Sequence, residues 1–339
     1  MTDEPRSLPD RIKSALAQRM FPGAVVYVAQ RGETLFHEAF GATTYDAATS
    51  RPIRLDDLFD LASLTKLYTT ALVLRLVEQG VLRLDDPVRR HVPEVGSDWT
   101  IEDLLAHRTG TTADLLAHAV RHGIRPCEQG QDAALWSVIF GCKGVVELAD
   151  GQSHYSDVDF LLAQAVCERA AGCSITDFAK SEILAPLALG NTCFCPPDPS
   201  RCVPTEVDDR WRHRLVVGEV HDEIAATLGG VAGHAGLFAT AADVGRFCEV
   251  WLDRRRWMNA FEPHSDHFGL GWRLCDASFF PGLARYGAVG HLGFTGTSAF
   301  LFPQSRAVFV LLSNRVHPNR DAAPSRLPLL EQMGKVIAG

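Results

Sequence analysis

The stretch LASLTKLYTT, residues 61–70, sets a hydroxyl, Ser63, three positions before an amine, Lys66, at the start of an apolar run. Residues three apart share a helix face and can touch. A serine hydroxyl is a weak nucleophile until a neighbouring base removes its proton. A lysine serves as that base only if burial or a nearby cation lowers its pKa, and Leu61, Ala62, Leu64, Leu67 and Ala71 would supply the burial. The start of a helix also favours developing negative charge. The pair therefore reads either as an incidental lysine on a helix surface or as a nucleophile with its base, and Ser-x-x-Lys alone does not choose between them.

Outward from this stretch, the pattern predicts a helix from about Ser63 to Val77, with Gly80 suited to its stop. Upstream, residues 9–20 read as an amphipathic helix with Ile12, Ala15 and Leu16 on one face. GAVVYVAQ (23–30) and ETLFHEAFG (33–41) read as a hairpin turning at Arg31-Gly32. Downstream, Thr100 with Asp103, Ser156 with Asp159, Ser174 with Asp177 and Thr240 with Asp243 resemble capping boxes with Asp in place of Glu. Residues 80–230 read as helices and loops, and the glycine-rich LGGVAGHAGLFAT (228–240) as a tight connection back to the first layer. FGLGWRL (268–274), SAFLFP (298–303) and AVFVLLSN (307–314) read as strands, and PLLEQMGKVIA (328–338) as a closing helix. Strands at both ends imply one sheet built from both termini, with a helical insertion between them. The expected division is 1–79 with 236–339 as a discontinuous α/β part, and 80–235 as a mainly helical part.

The 339 residues are 46% hydrophobic and 22% charged, ordinary globular composition. A net charge of −8 supplies no basic field for nucleic acid or an anionic membrane, so neither partner is expected. No run approaches the roughly 20 apolar residues of a membrane span. The N-terminus lacks the apolar stretch of a secretory signal, so a cytoplasmic location and reduced thiols for the nine cysteines are expected. Cys193, Cys195 and Cys202 lack the paired short spacing of a zinc site. His118 and His122 lack the glutamate of a His-Glu-x-x-His motif. No metal and no cofactor is expected. His107 reads as a packing or hydrogen-bonding residue, His221 as ordering a loop with Asp222, His234 as structural, and the tryptophans as core or rim.

Two further signals support catalysis. Tyr155 precedes a predicted helix cap at Ser156, and His291 lies near Gly293, which permits close approach by a ligand. The order Ser63-Leu64-Thr65-Lys66, Tyr155-Ser156-Asp157, His291-Leu292-Gly293 resembles the three signature motifs of serine β-lactamase-like enzymes, nearest the class C branch with its D,D-peptidase and carboxylesterase relatives. The resemblance spans about residues 20–315. It implies a β-lactamase-like α/β (α+β) fold, an antiparallel sheet flanked by helices with an inserted all-helical region and the site in the groove between them. Ser63 would form an acyl-enzyme, and Lys66 and Tyr155 would share the acid–base duty, either one taking the first proton. His291 would polarise the tyrosine or hold a substrate carboxylate. The backbone N–H groups of Ser63 and Phe294 would form the oxyanion hole.

Two residues depart from that pattern. Asp157 stands where lactamases usually have asparagine; an ionised aspartate cannot donate to an amide carbonyl and would stabilise Lys66 as a cation. It reads equally as part of the helix start or as a substrate contact. His291 replaces a permanent lysine cation and carries charge only below about 6.5, its reference pKa. The expectation is a serine hydrolase acting on a small-molecule ester through acyl-Ser63. The alternatives are an intracellular acyltransferase, a β-lactamase or D,D-peptidase, and a binding protein of the same fold that has lost turnover. The oligomeric state is open.

Overall fold

A computed structural model describes residues 7–253, 257–322 and 324–338, and in it both ends of the chain meet in one six-stranded antiparallel sheet. Strands β1 (Gly23–Gln30) and β2 (Glu33–Gly41) are the N-terminal hairpin. Short strands follow: β3 (Phe59–Asp60), β4 (Thr192–Phe194), β5 (Val207–Asp208), β6 (Arg214–Leu215) and β7 (Leu237–Ala239). The C-terminal part adds β8 (Arg273–Leu274), β9 (Val289–Leu292), β10 (Ser298–Phe302) and β11 (Ala307–Ser313), giving the order β2-β1-β11-β10-β9-β8.

The helices are α1 (Leu8–Ala17), α2 (Thr65–Glu78), α3 (Ile101–Leu105), α4 (Leu115–Arg121), α5 (Asp132–Phe140) and α6 (Asp157–Ala171). They continue as α7 (Ile175–Ala179), α8 (Glu223–Thr227), α9 (Ala241–Asp253), α10 (Pro281–Ala284) and α11 (Leu327–Ala338).

The central strands are apolar throughout because both sheet faces are covered. Side chains alternate between faces, so Val25 and Tyr27 enter one core while Val26 and Val28 enter the other. Ile12 of α1 and Leu330 and Met333 of α11 fill the second core with Phe300 and Phe309. On the opposite face α9 brings Phe247 and Trp251 against the sheet, so close that a Cβ on Gly245 would fall on the Tyr27 ring. The helical layer is built on α6, which packs against α2, α3 and α5. Helix α2 is buried from Thr65 through Leu74, so it belongs to the sheet part in sequence yet is shared with the helical part in space.

Four local readings differ from the structure. Of residues 268–274 only Arg273 and Leu274 join the sheet, because Gly271 at φ +73° turns the chain and Phe268 bridges back to Arg273. Residues 289–292, for which no strand was expected, form β9, where Gly290 leaves room for the Phe300 ring. The glycine-rich 228–240 stretch ends in β7, which pairs with β3 and β4 in a separate small sheet. Ser156 does cap α6, but through the Val158 N–H.

Asp159 closes no capping box; it turns inward. Its fully buried carboxylate meets His107 Nδ1 at 2.9 Å and accepts from the Thr109 and Thr111 hydroxyls. Removing a buried acceptor strands all its donors. Asp159→Ala is therefore expected to lower unfolding stability by about 3 kcal/mol or more, read as a fall in the urea midpoint. An unchanged midpoint would contradict this account of the network.

Candidate active site

Ser63 lies in a single turn of 3₁₀ helix, Ala62–Leu64, immediately before α2. Ala62 is held at φ +47°, a left-handed conformation that costs a non-glycine residue about 1–2 kcal/mol. The surroundings impose it. Asp60 Oδ1 accepts the Ala62 N–H at 2.8 Å and Oδ2 accepts that of His221 at 2.6 Å. The Thr295 and Thr297 hydroxyls donate to the Asp60 and Leu61 carbonyls at 2.7 and 2.9 Å. The β9–β10 turn is thus fastened to the segment that leads into Ser63. Gly293 serves this fastening, since a Cβ there would collide with Leu61 O and Thr297 Oγ1.

Lys66, fully buried, donates to Ser63 Oγ at 3.0 Å, to Asp157 Oδ1 at 2.7 Å and to the His234 carbonyl at 3.4 Å. Tyr155 stands beside this pair, its ring centroid 4.9 Å from the Lys66 nitrogen, close enough for Ser63 and Lys66 to act on its phenol. Burial works against the Lys66 charge, but Asp157 and Tyr155 outweigh it and leave the ammonium above the ordinary lysine value. Burial also opposes the Asp157 charge, and Lys66 and His234 outweigh that, holding the carboxyl below its ordinary value. Burial raises Tyr155, with Lys66 opposing and Asp157 adding, so the phenol is protonated at neutral pH. The resting site is an ammonium–carboxylate pair beside a neutral phenol and the Ser63 hydroxyl.

His291 lies in β9, 4% exposed, its ring centroid 6.2 Å from that of Tyr155. Nδ1 donates to the Leu292 carbonyl at 3.1 Å, so Nε2 is an acceptor. Burial, then the Lys66 charge, pushes its pKa well below the usual histidine value. A neutral imidazole offers a substrate carboxylate no charge, which favours the other expected role, polarising Tyr155. His107 packs its ring 4.5 Å from Tyr155, as a packing residue should. Phe294 is half exposed and follows Gly293 in the fastened turn.

Three residues beside the site were not assigned to it from the sequence. Asp222 caps α8 and meets His234 Nε2 at 3.0 Å, while its expected partner His221 pairs instead with Glu206 at 2.8 Å. Asp157, Asp222 and His234 bring ligand atoms within 4.8 Å of one another, but Lys66 already places its own cation on Asp157. Arg273, read only as part of a strand, lines a cavity of about 230 Å³ with Tyr155, Phe268, Phe279, His291 and Leu292. Its guanidinium sits 4.5 Å from the Phe279 ring centroid and 5.4 Å from that of Phe268. Its Nε is buried with no hydrogen-bond partner, and no carboxylate among the described residues forms a close ion pair with it. A lone arginine among glycines and aromatics was the only signal in the sequence.

A sheet assembled from both termini and a serine–lysine–tyrosine set at its junction with the helical layer are features of one class of serine hydrolase. Residues 8–332 match the family described as Beta-lactamase, and the chain belongs to it. A putative D-alanyl-D-alanine carboxypeptidase of Escherichia coli K12 is 28% identical over 93% of this chain and 83% of its own. EstCE1, a hydrolase with promiscuous acyltransferase activity, superposes with a TM-score of 0.77 at 22% identity, over 98% of this chain and 99% of its own. A class C β-lactamase superposes at 0.71 with 18% identity, over 97% and 96%. No helix among the described residues is long and apolar enough to cross a membrane.

Proposed function

We propose that the protein is a serine esterase that works through an acyl-Ser63 intermediate. The observation that carries this is Lys66 Nζ at 3.0 Å from Ser63 Oγ, with the Tyr155 ring centroid 4.9 Å from that nitrogen. Lys66, once deprotonated, takes the Ser63 proton as Oγ bonds to the ester carbonyl carbon. Tyr155 relays a proton from Lys66 to the leaving alkoxide as the ester C–O bond breaks. Water repeats the sequence in reverse and releases the acid, leaving Ser63 protonated again. An alcohol in place of water would yield a new ester from the same intermediate. Asp157 disfavours amide-like substrates, because a carboxylate cannot donate to their carbonyl.

The test is hydrolysis of p-nitrophenyl butyrate beside a chromogenic cephalosporin, with intact mass recorded during turnover. Ester turnover with a butyryl increment on the Ser63 peptide is the expected result. No turnover and no increment would overturn the reading in favour of a binding protein.

A second reading, a D,D-carboxypeptidase, is supported by the Escherichia coli relative's name and by Arg273. A peptide substrate ends in a carboxylate, and Arg273 is a cation inside the cavity beside Tyr155 that could pair with it. Arg273→Ala is expected to raise KM about tenfold for p-nitrophenyl hydrogen succinate while leaving p-nitrophenyl butyrate within about twofold. Equal effects on the two esters would remove Arg273 from substrate recognition.

A further inference from the structure

Arg326 has no part in the chemistry described so far, yet it occupies an unusual place. It is the residue before α11 and is 6% exposed. One guanidinium nitrogen donates to the Gly293 carbonyl at 2.7 Å and to the Thr297 carbonyl at 3.0 Å. Its Nε is buried with no hydrogen-bond partner, and it forms no ion pair among the described residues. A guanidinium buried on neutral acceptors alone keeps much of its desolvation cost. A neutral donor could satisfy the same two carbonyls without that cost, so stability does not account for a charge here.

The place it touches does. In a planar trans peptide the C=O and the next N–H point in opposite directions. The carbonyl held by Arg326 belongs to the Gly293–Phe294 peptide, whose N–H is the Phe294 donor expected to face the oxyanion. Gly296 N–H also reaches the Gly293 carbonyl, at 3.2 Å, closing the turn. From the other side, Thr295 and Thr297 tie the turn to Asp60 and Leu61, just before Ser63. The peptide is therefore pinned on both sides, with a cation on its oxygen. A positive charge at a carbonyl oxygen polarises the amide and strengthens its N–H as a donor.

We infer that Arg326 is a positioning residue for the oxyanion hole: it fixes the orientation of the Gly293–Phe294 peptide and polarises its N–H toward the carbonyl oxygen of the bound acyl group. This rests on the acyl-Ser63 reading above. Arg326 touches no substrate; it acts through the peptide.

The experiment uses the full chain and p-nitrophenyl butyrate labelled with ¹³C at the carbonyl. Isotope-edited infrared spectra are recorded during turnover, beside kcat, KM and thermal unfolding, for wild type, Arg326→Gln and Arg326→Lys. In wild type the acyl-Ser63 carbonyl band lies below that of the same ester in water. In Arg326→Gln the band moves toward the water value and kcat falls about ten- to hundredfold, less than the loss of a whole oxyanion donor, with KM nearly unchanged. Arg326→Lys, which keeps the cation, recovers part of both. An unmoved band overturns the inference, whether kcat is retained or falls together with the melting temperature, since the latter is merely structural. If wild type forms no acyl band at all, the acyl-Ser63 reading itself fails and this one falls with it. An acyl band present in both proteins at the same position defeats the role of Arg326 alone.

Discussion

Ser63→Ala is expected to lower ester turnover by about 10⁴-fold or more and to abolish the acyl increment in intact mass, with the melting temperature close to wild type. The size follows from the site's construction. Lys66 donates to the Ser63 oxygen, Tyr155 stands beside Lys66, and the fastened turn holds the segment that leads into Ser63. The fold should survive because the Ser63 side chain is only half-buried and its turn is held by Asp60, Thr295 and Thr297 rather than by its hydroxyl. Residual turnover within tenfold of wild type would show that water is activated without a covalent step, and would sink the acyl-Ser63 mechanism.

Asp157→Asn carries the second large effect, and its sign runs against the usual loss on mutating a buried ion pair. In wild type the folded Lys66 pKa lies above the ordinary lysine value, because Asp157 at 2.7 Å outweighs burial. The free amine is therefore scarce at neutral pH, and kcat/KM should still be rising through the alkaline range. Removing the carboxylate's charge leaves burial to act with far less opposition, and burial lowers a lysine pKa. The rising limb of kcat/KM should move to lower pH by about 1–3 units, and turnover at pH 7 should increase at least about tenfold. The asparagine also restores a donor for amide carbonyls, so acylation by the chromogenic cephalosporin should appear or increase. Loss of ester turnover at every pH would mean instead that the Asp157 carboxylate itself takes the proton.

The parts of the fold legible in the sequence are those whose signal lies within one short segment. The 23–41 hairpin shows as an apolar run, GAVVYVAQ, followed by a glycine turn, and strands β10 and β11 are continuous apolar runs buried on both faces. The Thr100–Asp103 capping box formed as read, because both partners lie within one turn of chain. The Ser156–Asp159 box did not form. His107, Thr109 and Thr111, some fifty residues upstream, compete for the same carboxylate inside the core. Strand β9 was hidden by Gly290 and Gly293. Both glycines are there because another part of the chain, the Phe300 ring or the Leu61 carbonyl, needs the space of a side chain.

The sequence by itself determined the chemistry available: a serine and a lysine on one helical turn, a tyrosine at a helix start, and a sheet with strands from both ends of the chain. Spacings of three residues and alternations of two are local geometry, which the backbone enforces wherever the segment lies. Only the tertiary structure decided what charge each group carries. Asp157 is 91 residues from Lys66 and holds it as an ammonium. His291 lost the charge its position called for, because it is buried near that same ammonium. Arg273 and Arg326 gained meaning only from the cavity and the peptide they face. Protonation depends on desolvation and on charges within a few ångströms, and the folded chain alone brings those together.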